Sequence, residues 1–184
     1  MNAARALCRR AGHLLTLVML AGLTGCAGVD PAVYRQEKPA LDISRFFNGH
    51  IQAWGMFQAR NGEVKRRFDL KMDGQWQGDE GSLHEHFVYS DGEIQDRDWH
   101  LHRVDAQHVI ATAPDIVGEA KGEISGNAIR WRYVLDLPVG TSHYHMDFDD
   151  WMYLQDDRTL LNHALMSKFG VHLGDVFVTF RKEP

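Results

Sequence analysis

The chain has 184 residues, with 20 basic against 25 acidic side chains and a formal net charge of −5 at pH 7. That balance makes nucleic acid a poor partner, and the length gives one ordinary domain with a real core. The two cysteines, Cys8 and Cys26, provide no disulfide framework, so packing has to hold the fold.

At the N-terminus Arg5, Arg9 and Arg10 precede an apolar run from Leu14 to Leu23. This is the charged and hydrophobic pattern of an export signal, and the run is too short to span a bilayer. The next residues, Leu23-Thr24-Gly25-Cys26, resemble the lipobox of a bacterial lipoprotein. The resemblance implies cleavage before Cys26, acylation of its thiol by a diacylglyceryl group and palmitate-type chains, and attachment to a membrane through that anchor. Ala27, where an aspartate would favour retention in the inner membrane, implies the outer membrane. Cleavage leaves 159 residues and a net charge of −8, because the signal carries three arginines and no acid. The expected organisation is a signal peptide over 1–25, an acylated cysteine and tether over 26–45, and a single barrel domain over 46–184.

From Ala27 to Ala40 small and charged residues, with Pro31 and Pro39, keep no apolar period, which predicts a tether. Asp42 is placed to cap a short helical turn through Phe46 and Phe47 that ends at Asn48-Gly49. From His50 the period becomes two, with turn residues every 8 to 12 positions, the pattern of an antiparallel sheet. Eight to ten strands with short connections predict an all-β, up-and-down antiparallel barrel of lipocalin or calycin type.

The turns predict the registers. A two-residue type I′ turn at Asn61-Gly62 sets Ile51, Ala53, Gly55 and Phe57 opposite Met72, Leu70, Phe68 and Arg66, an apolar face except for Arg66. In the next hairpin a two-residue Asp91-Gly92 turn would oppose Glu85 and Asp98, two like charges. A three-residue Ser90-Asp91-Gly92 loop instead pairs Phe87 with Gln95, Glu85 with Arg97 and Leu83 with Trp99. Gly126-Asn127 turns a third hairpin that sets Ile124, Gly122, Ala120 and Gly118 against Ile129, Trp131, Tyr133 and Leu135, small against large. Strands from His143 to Leu154, near Leu160 to Ser167 and from Val171 to Phe180 complete the sheet.

Two constellations could carry chemistry. His84 and His86, His100 and His102, and His143 and His145 form His-x-His pairs that each share a strand face. The preferred register puts His84, His86, His100 and His102 on the outer face beside Asp96 and Asp98, so they are weak surface candidates and no metal is assigned. The inward charges are more informative, because Arg66, Glu85 and Arg97 lie on faces otherwise built of Phe, Leu, Tyr and Trp, and buried charge has to be paired. Asp150 shares a face with Met146, Phe148, Met152 and Leu154. Together these four form an internal polar network, either a structural clamp or the floor of a ligand cavity. Glycine-rich phosphate loops, Gly-x-Ser-x-Gly, a nucleophilic cysteine and His-Glu-x-x-His are absent from the sequence, so no catalytic residue and no cofactor are assigned.

The blocks Phe47-Asn48-Gly49, Ala53-Trp54-Gly55, Arg66-Arg67-Phe68, Gly126-Asn127-Ala128, Leu137-Pro138-Val139, Phe148-Asp149-Asp150-Trp151-Met152 and Ser167-Lys168-Phe169-Gly170 together resemble a family of proteobacterial lipoproteins catalogued as domain of unknown function 3833. The resemblance covers Phe46 to Lys182 and implies a lipoprotein without an assigned activity. More distantly the chain is similar to the calycins, although the lipocalin Gly-x-Trp is replaced by Gly49-His50-Ile51. The expected function is an outer-membrane-anchored protein that binds a small apolar or amphipathic molecule, a lipid or fatty acid, with Arg66 or Arg97 near its polar end. The alternative is a structural or interaction lipoprotein of the envelope with a filled core.

Overall fold

A computed structural model describes residues 28–184, so Cys26 and the apolar run before it lie outside the described residues. Pro31 to Pro184 form one compact unit. A 3₁₀ turn at Pro31–Tyr34 and a short helix α1 at Ile43–Phe46 precede ten strands: β1 Gly49–Ala59, β2 Val64–Gln77, β3 Glu80–Tyr89, β4 Ile94–Arg103, β5 His108–Thr112, β6 Ala120–Ser125, β7 Ala128–Val139, β8 Ser142–Leu154, β9 Thr159–Lys168 and β10 Val171–Lys182. Each strand pairs antiparallel with its sequence neighbours, and β10 returns to β1 to close the barrel. Closure leaves no free edge.

The expected registers hold in the body of the sheet. Ile51 faces Met72 and Gly55 faces Phe68, Glu85 faces Arg97 and Leu83 faces Trp99, and Gly122 faces Trp131. The turn at Asn61-Gly62 differs from the expected one. A type I′ turn needs positive φ at both residues, whereas only Gly62 has it, at 88°. Gly62 N donates to Ala59 O at 2.8 Å and Ala59 N to Glu63 O at 2.9 Å, which makes a three-residue loop like the one at Ser90-Asp91-Gly92. Phe57 then pairs with Arg66 but Gln58 with Val64, so Lys65 is the extra residue of a bulge. The bulge absorbs the longer loop, which is why the inner-face register is unchanged. Gly118, expected opposite Leu135, has φ 75° and leaves the strand, and Ile116 bridges Leu135 instead.

One end of the barrel is plugged. Asp42 caps α1 by accepting from Arg45 N at 3.1 Å, and the turn delivers Ile43, Phe46 and Phe47 into the barrel end, where all three are buried beside Leu41. Lys182 Nζ donates to the carbonyls of Arg45, Phe46 and Asn48, tying the end of β10 to the end of α1. Gly74 lies directly under the plug, since a Cβ there would stand 1.9 Å from Phe47 O and 2.8 Å from Leu83 Cδ2. Gly74→Ala is therefore expected to lower stability by about 1–3 kcal/mol through overpacking, read as a lower midpoint in urea unfolding. An unchanged midpoint would mean that the plug is loosely held.

The stretch expected to be a tether is docked on the barrel from Pro31 onward. Tyr34 stands edge-on to Trp151 at 5.6 Å and Tyr153 at 5.3 Å, and Leu41 N donates to Gly126 O at 2.8 Å. The cause is Trp151. Its neighbour Asp150 points inward, so the indole points outward, and an irregular segment covers it together with Arg130, which chelates Asp149 at 2.7 and 2.5 Å.

Candidate functional site

Because strand alternation turns every second side chain inward, β2, β3, β4 and β8 carry Arg66, Glu85, Arg97 and Asp150 onto the wall of one interior cavity. Its volume is about 350 Å³, within the range of small-molecule sites. Most of the wall is apolar and aromatic, with Phe68, Phe87, Trp99, Trp131, Tyr133 and Phe148 prominent. The plug lies at the end where β1 starts. The hairpin loops 60–63, 90–93 and 169–170 therefore surround the opposite end, and Phe57, Phe68 and Tyr89 near it are only half-buried.

The four expected charges do not form one network. Arg97 is the hub of the deepest group. One guanidinium nitrogen lies 3.7 Å from Glu85 Oε2 and another 2.7 Å from Asp115 Oδ2, while Trp99 Nε1 donates to Glu85 Oε2 at 3.0 Å. Burial pushes the Glu85 pKa up against the opposing pull of Arg97 and the Trp99 hydrogen bond. Burial also works against the Arg97 charge, but Glu85 and Asp115 more than offset it and hold its pKa above the usual value.

Arg66 stands apart from this group, near the open end. It pairs with Asp91 at 2.8 Å and Glu93 at 2.6 Å in the β3–β4 loop and lies 3.5 Å over the Tyr89 ring. The expectation that it joins Glu85 and Arg97 is thereby corrected. Its position near the start of β2 brings it level with a loop that offers two closer carboxylates.

Asp150 has no ion pair among the described residues. It accepts from Tyr133 Oη at 3.2 Å and from Asn162 Nδ2. Burial raises its pKa to about 7, with these two hydrogen bonds acting in the opposite direction. Burial likewise lifts the Tyr133 hydroxyl well above its ordinary range, and Asp150 adds to the effect. Three members of the site were outside the expected set: Asp115, which lies in the β5–β6 connection where no period operates, and Tyr133 and Asn162, whose types do not stand out on alternating strands. Asn162 had one available signal, a polar residue facing inward between Leu160 and Ala164.

The histidine pairs lie where the register places them. His84 contacts Asp98 at 2.8 Å, His86 contacts Asp96 at 2.7 Å and His102 contacts Glu80 at 2.6 Å, all on exposed outer surface. Hydrogen bonding to Asp98 raises the His84 pKa. Among the described residues no group of three or more His, Cys, Asp or Glu is arranged to hold a metal ion. Replacing His84, His86, His100 and His102 together with Gln should change stability by no more than about half a kcal/mol per site in urea unfolding. A metal that survives dialysis against chelator in the wild type and is lost in this variant would overturn the surface assignment.

A family model described as a protein of unknown function (DUF3833) matches residues 20–182. No curated protein matches the sequence. Among solved structures the barrel is similar to an S-type phycobiliprotein lyase from Guillardia theta, with TM-score 0.57 and 6% identity over 78% of this chain and 94% of that one. It is also similar to a protein of unknown function from the DUF3598 family of Nostoc punctiforme, with TM-score 0.54 and 13% identity over 85% of this chain and 53% of that one. At such identities the likeness is one of fold.

Proposed function

The chain belongs to the DUF3833 family of proteins of unknown function, and from that premise we propose that it is a binding protein which lodges a small apolar or amphipathic molecule, of lipid type, inside its barrel. The observation that carries this reading is the cavity of about 350 Å³ walled mainly by aromatic and aliphatic side chains. A core that served only to hold the fold would fill that space, since each void forfeits packing energy. A barrel that keeps one plugged end and a half-buried aromatic rim at the other has the form of a cup. The similarity in fold to a phycobiliprotein lyase is in keeping with a barrel that works on a small molecule.

The test is mass spectrometry of an organic extract from natively purified protein. A co-purifying small molecule near one equivalent supports the proposal. A clean extract, together with no binding of apolar probes to the purified protein, overturns it in favour of an envelope protein that acts through its outer surface.

The anchoring half of the proposal rests on Leu23-Thr24-Gly25-Cys26. In this reading Cys26 is acylated and the protein is held at the outer membrane. Cys26→Ser is expected to accumulate as an uncleaved precursor that takes up no labelled fatty acid, because the thiol is the acceptor and acylation precedes cleavage. Label on the Ser variant, or a processed membrane form of it, would refute the lipobox assignment.

A further inference from the structure

The charges on the cavity wall discriminate between ligand classes. Two guanidinium groups, Arg66 and Arg97, and two carboxyl groups, Glu85 and Asp150, line the cavity, while Asp91, Glu93 and Asp115 pair with the arginines from outside the lining. Each arginine already faces two carboxylates, so neither is a vacant seat for an anionic head group. The Nε atoms of Arg66 and Arg97 make no hydrogen bond among the described residues, but both are enclosed and have almost no exposed surface. At Arg97 a ligand carboxylate would have to displace Glu85 or Asp115 and leave it unpaired in a poorly solvated interior, and at Arg66 it would compete with Asp91 and Glu93, which already hold the guanidinium from an exposed loop.

The opposite sign meets no such obstacle. Asp150 is held by two neutral donors, Tyr133 and Asn162, and each of its oxygens keeps a lone pair for a further donor. The cavity wall that carries Asp150 also carries the rings of Tyr133, Phe148, Trp99 and Trp131, and aromatic rings attract cations through their quadrupoles. Tyr133 and Phe148 are stacked with centroids 5.0 Å apart, so the seat beside Asp150 is bordered by a rigid aromatic pair.

We propose that the ligand is a cationic amphiphile, an apolar body carrying a protonated amine or related ammonium group that rests against Asp150 inside the aromatic wall. This deepens the binding reading above and rests on it, while replacing the fatty-acid carboxylate expected from the arginines with a group of opposite charge.

Three probes of equal chain length separate the possibilities: decylammonium, decanol and decanoate, each titrated calorimetrically into wild-type protein at pH 7.5 below its micellar concentration. Decylammonium should bind at least about tenfold more tightly than decanoate, because like-charge juxtaposition in a desolvated site costs more than about 1 kcal/mol. Decanoate binding as tightly as decylammonium, or more so, overturns the charge assignment and leaves the cavity reading standing. Heat from none of the three overturns the cavity reading itself. Asp150→Asn, checked for folding by circular dichroism, should bring decylammonium and decanoate to within about threefold of each other. A folded Asn variant that keeps the full preference would show that Asp150 is not the seat and overturn the proposal.

Discussion

Replacing Arg97 with Met should destabilise the barrel by about 3–5 kcal/mol, and adding Glu85→Gln should restore part of that loss. In the wild type the guanidinium lies between Glu85 at 3.7 Å and Asp115 at 2.7 Å. Methionine fills much of the same volume but leaves two carboxyl groups facing an apolar wall without a cation. Glu85, already pushed toward its neutral form by burial, then takes up a proton, and Asp115 is left to recruit water. The double variant removes one of the stranded acids, while the carboxamide that replaces the Glu85 carboxylate keeps an oxygen for Trp99 Nε1. A double-mutant cycle by urea unfolding measures the coupling between the two positions. Coupling near zero would mean that the Glu85–Arg97 pair contributes nothing beyond its packing.

Asp150 should make the protein less stable as pH rises through the weakly acidic range. Its folded pKa of about 7 lies above the ordinary 3.8, so the folded state holds the proton more tightly than the unfolded chain. Below about pH 4 both states are protonated and the group is neutral in effect. Between about pH 4 and 7 the unfolded state gains charge and the folded state does not, and stability falls by up to about 4 kcal/mol, after which the penalty is constant. The groups facing Asp150 are Tyr133 from β7 and Asn162 from β9, with Asp149 raising and His163 lowering its pKa from nearby positions. Asp150→Asn lacks the titration, so the difference between variant and wild type should grow in the variant's favour from about pH 5 to pH 8. A difference that stays flat across that range would show that the carboxyl is ionised throughout.

Much of the barrel was legible because its constraints are local and periodic. Like charges at Glu85 and Asp98 excluded one loop length at the β3–β4 hairpin, and a single residue of slip would have put Ile51 opposite Lys71, so pairing followed from pattern and sign. Turn chemistry was less decisive. Asn61-Gly62 suits a two-residue turn as well as a three-residue loop, and a bulge at Lys65 makes both compatible with the same core. What stayed hidden depends on contacts between segments without period. Tyr34 covers Trp151 from a stretch whose composition reads as linker, and Asp115 enters the Arg97 group from the β5–β6 connection. The site was thus half visible: alternation identified which charges face inward, but not which partner each one selects.

Tyr34 docks beside the Gly126 turn, at the plugged end of the barrel. The half-buried rings of Phe57, Phe68 and Tyr89 lie at the opposite end, so among the described residues the segment from Pro31 to Leu41 packs against the base and not against the rim. A molecule lodged in the cavity would then enter and leave past the rim, without displacing the segment that covers Trp151.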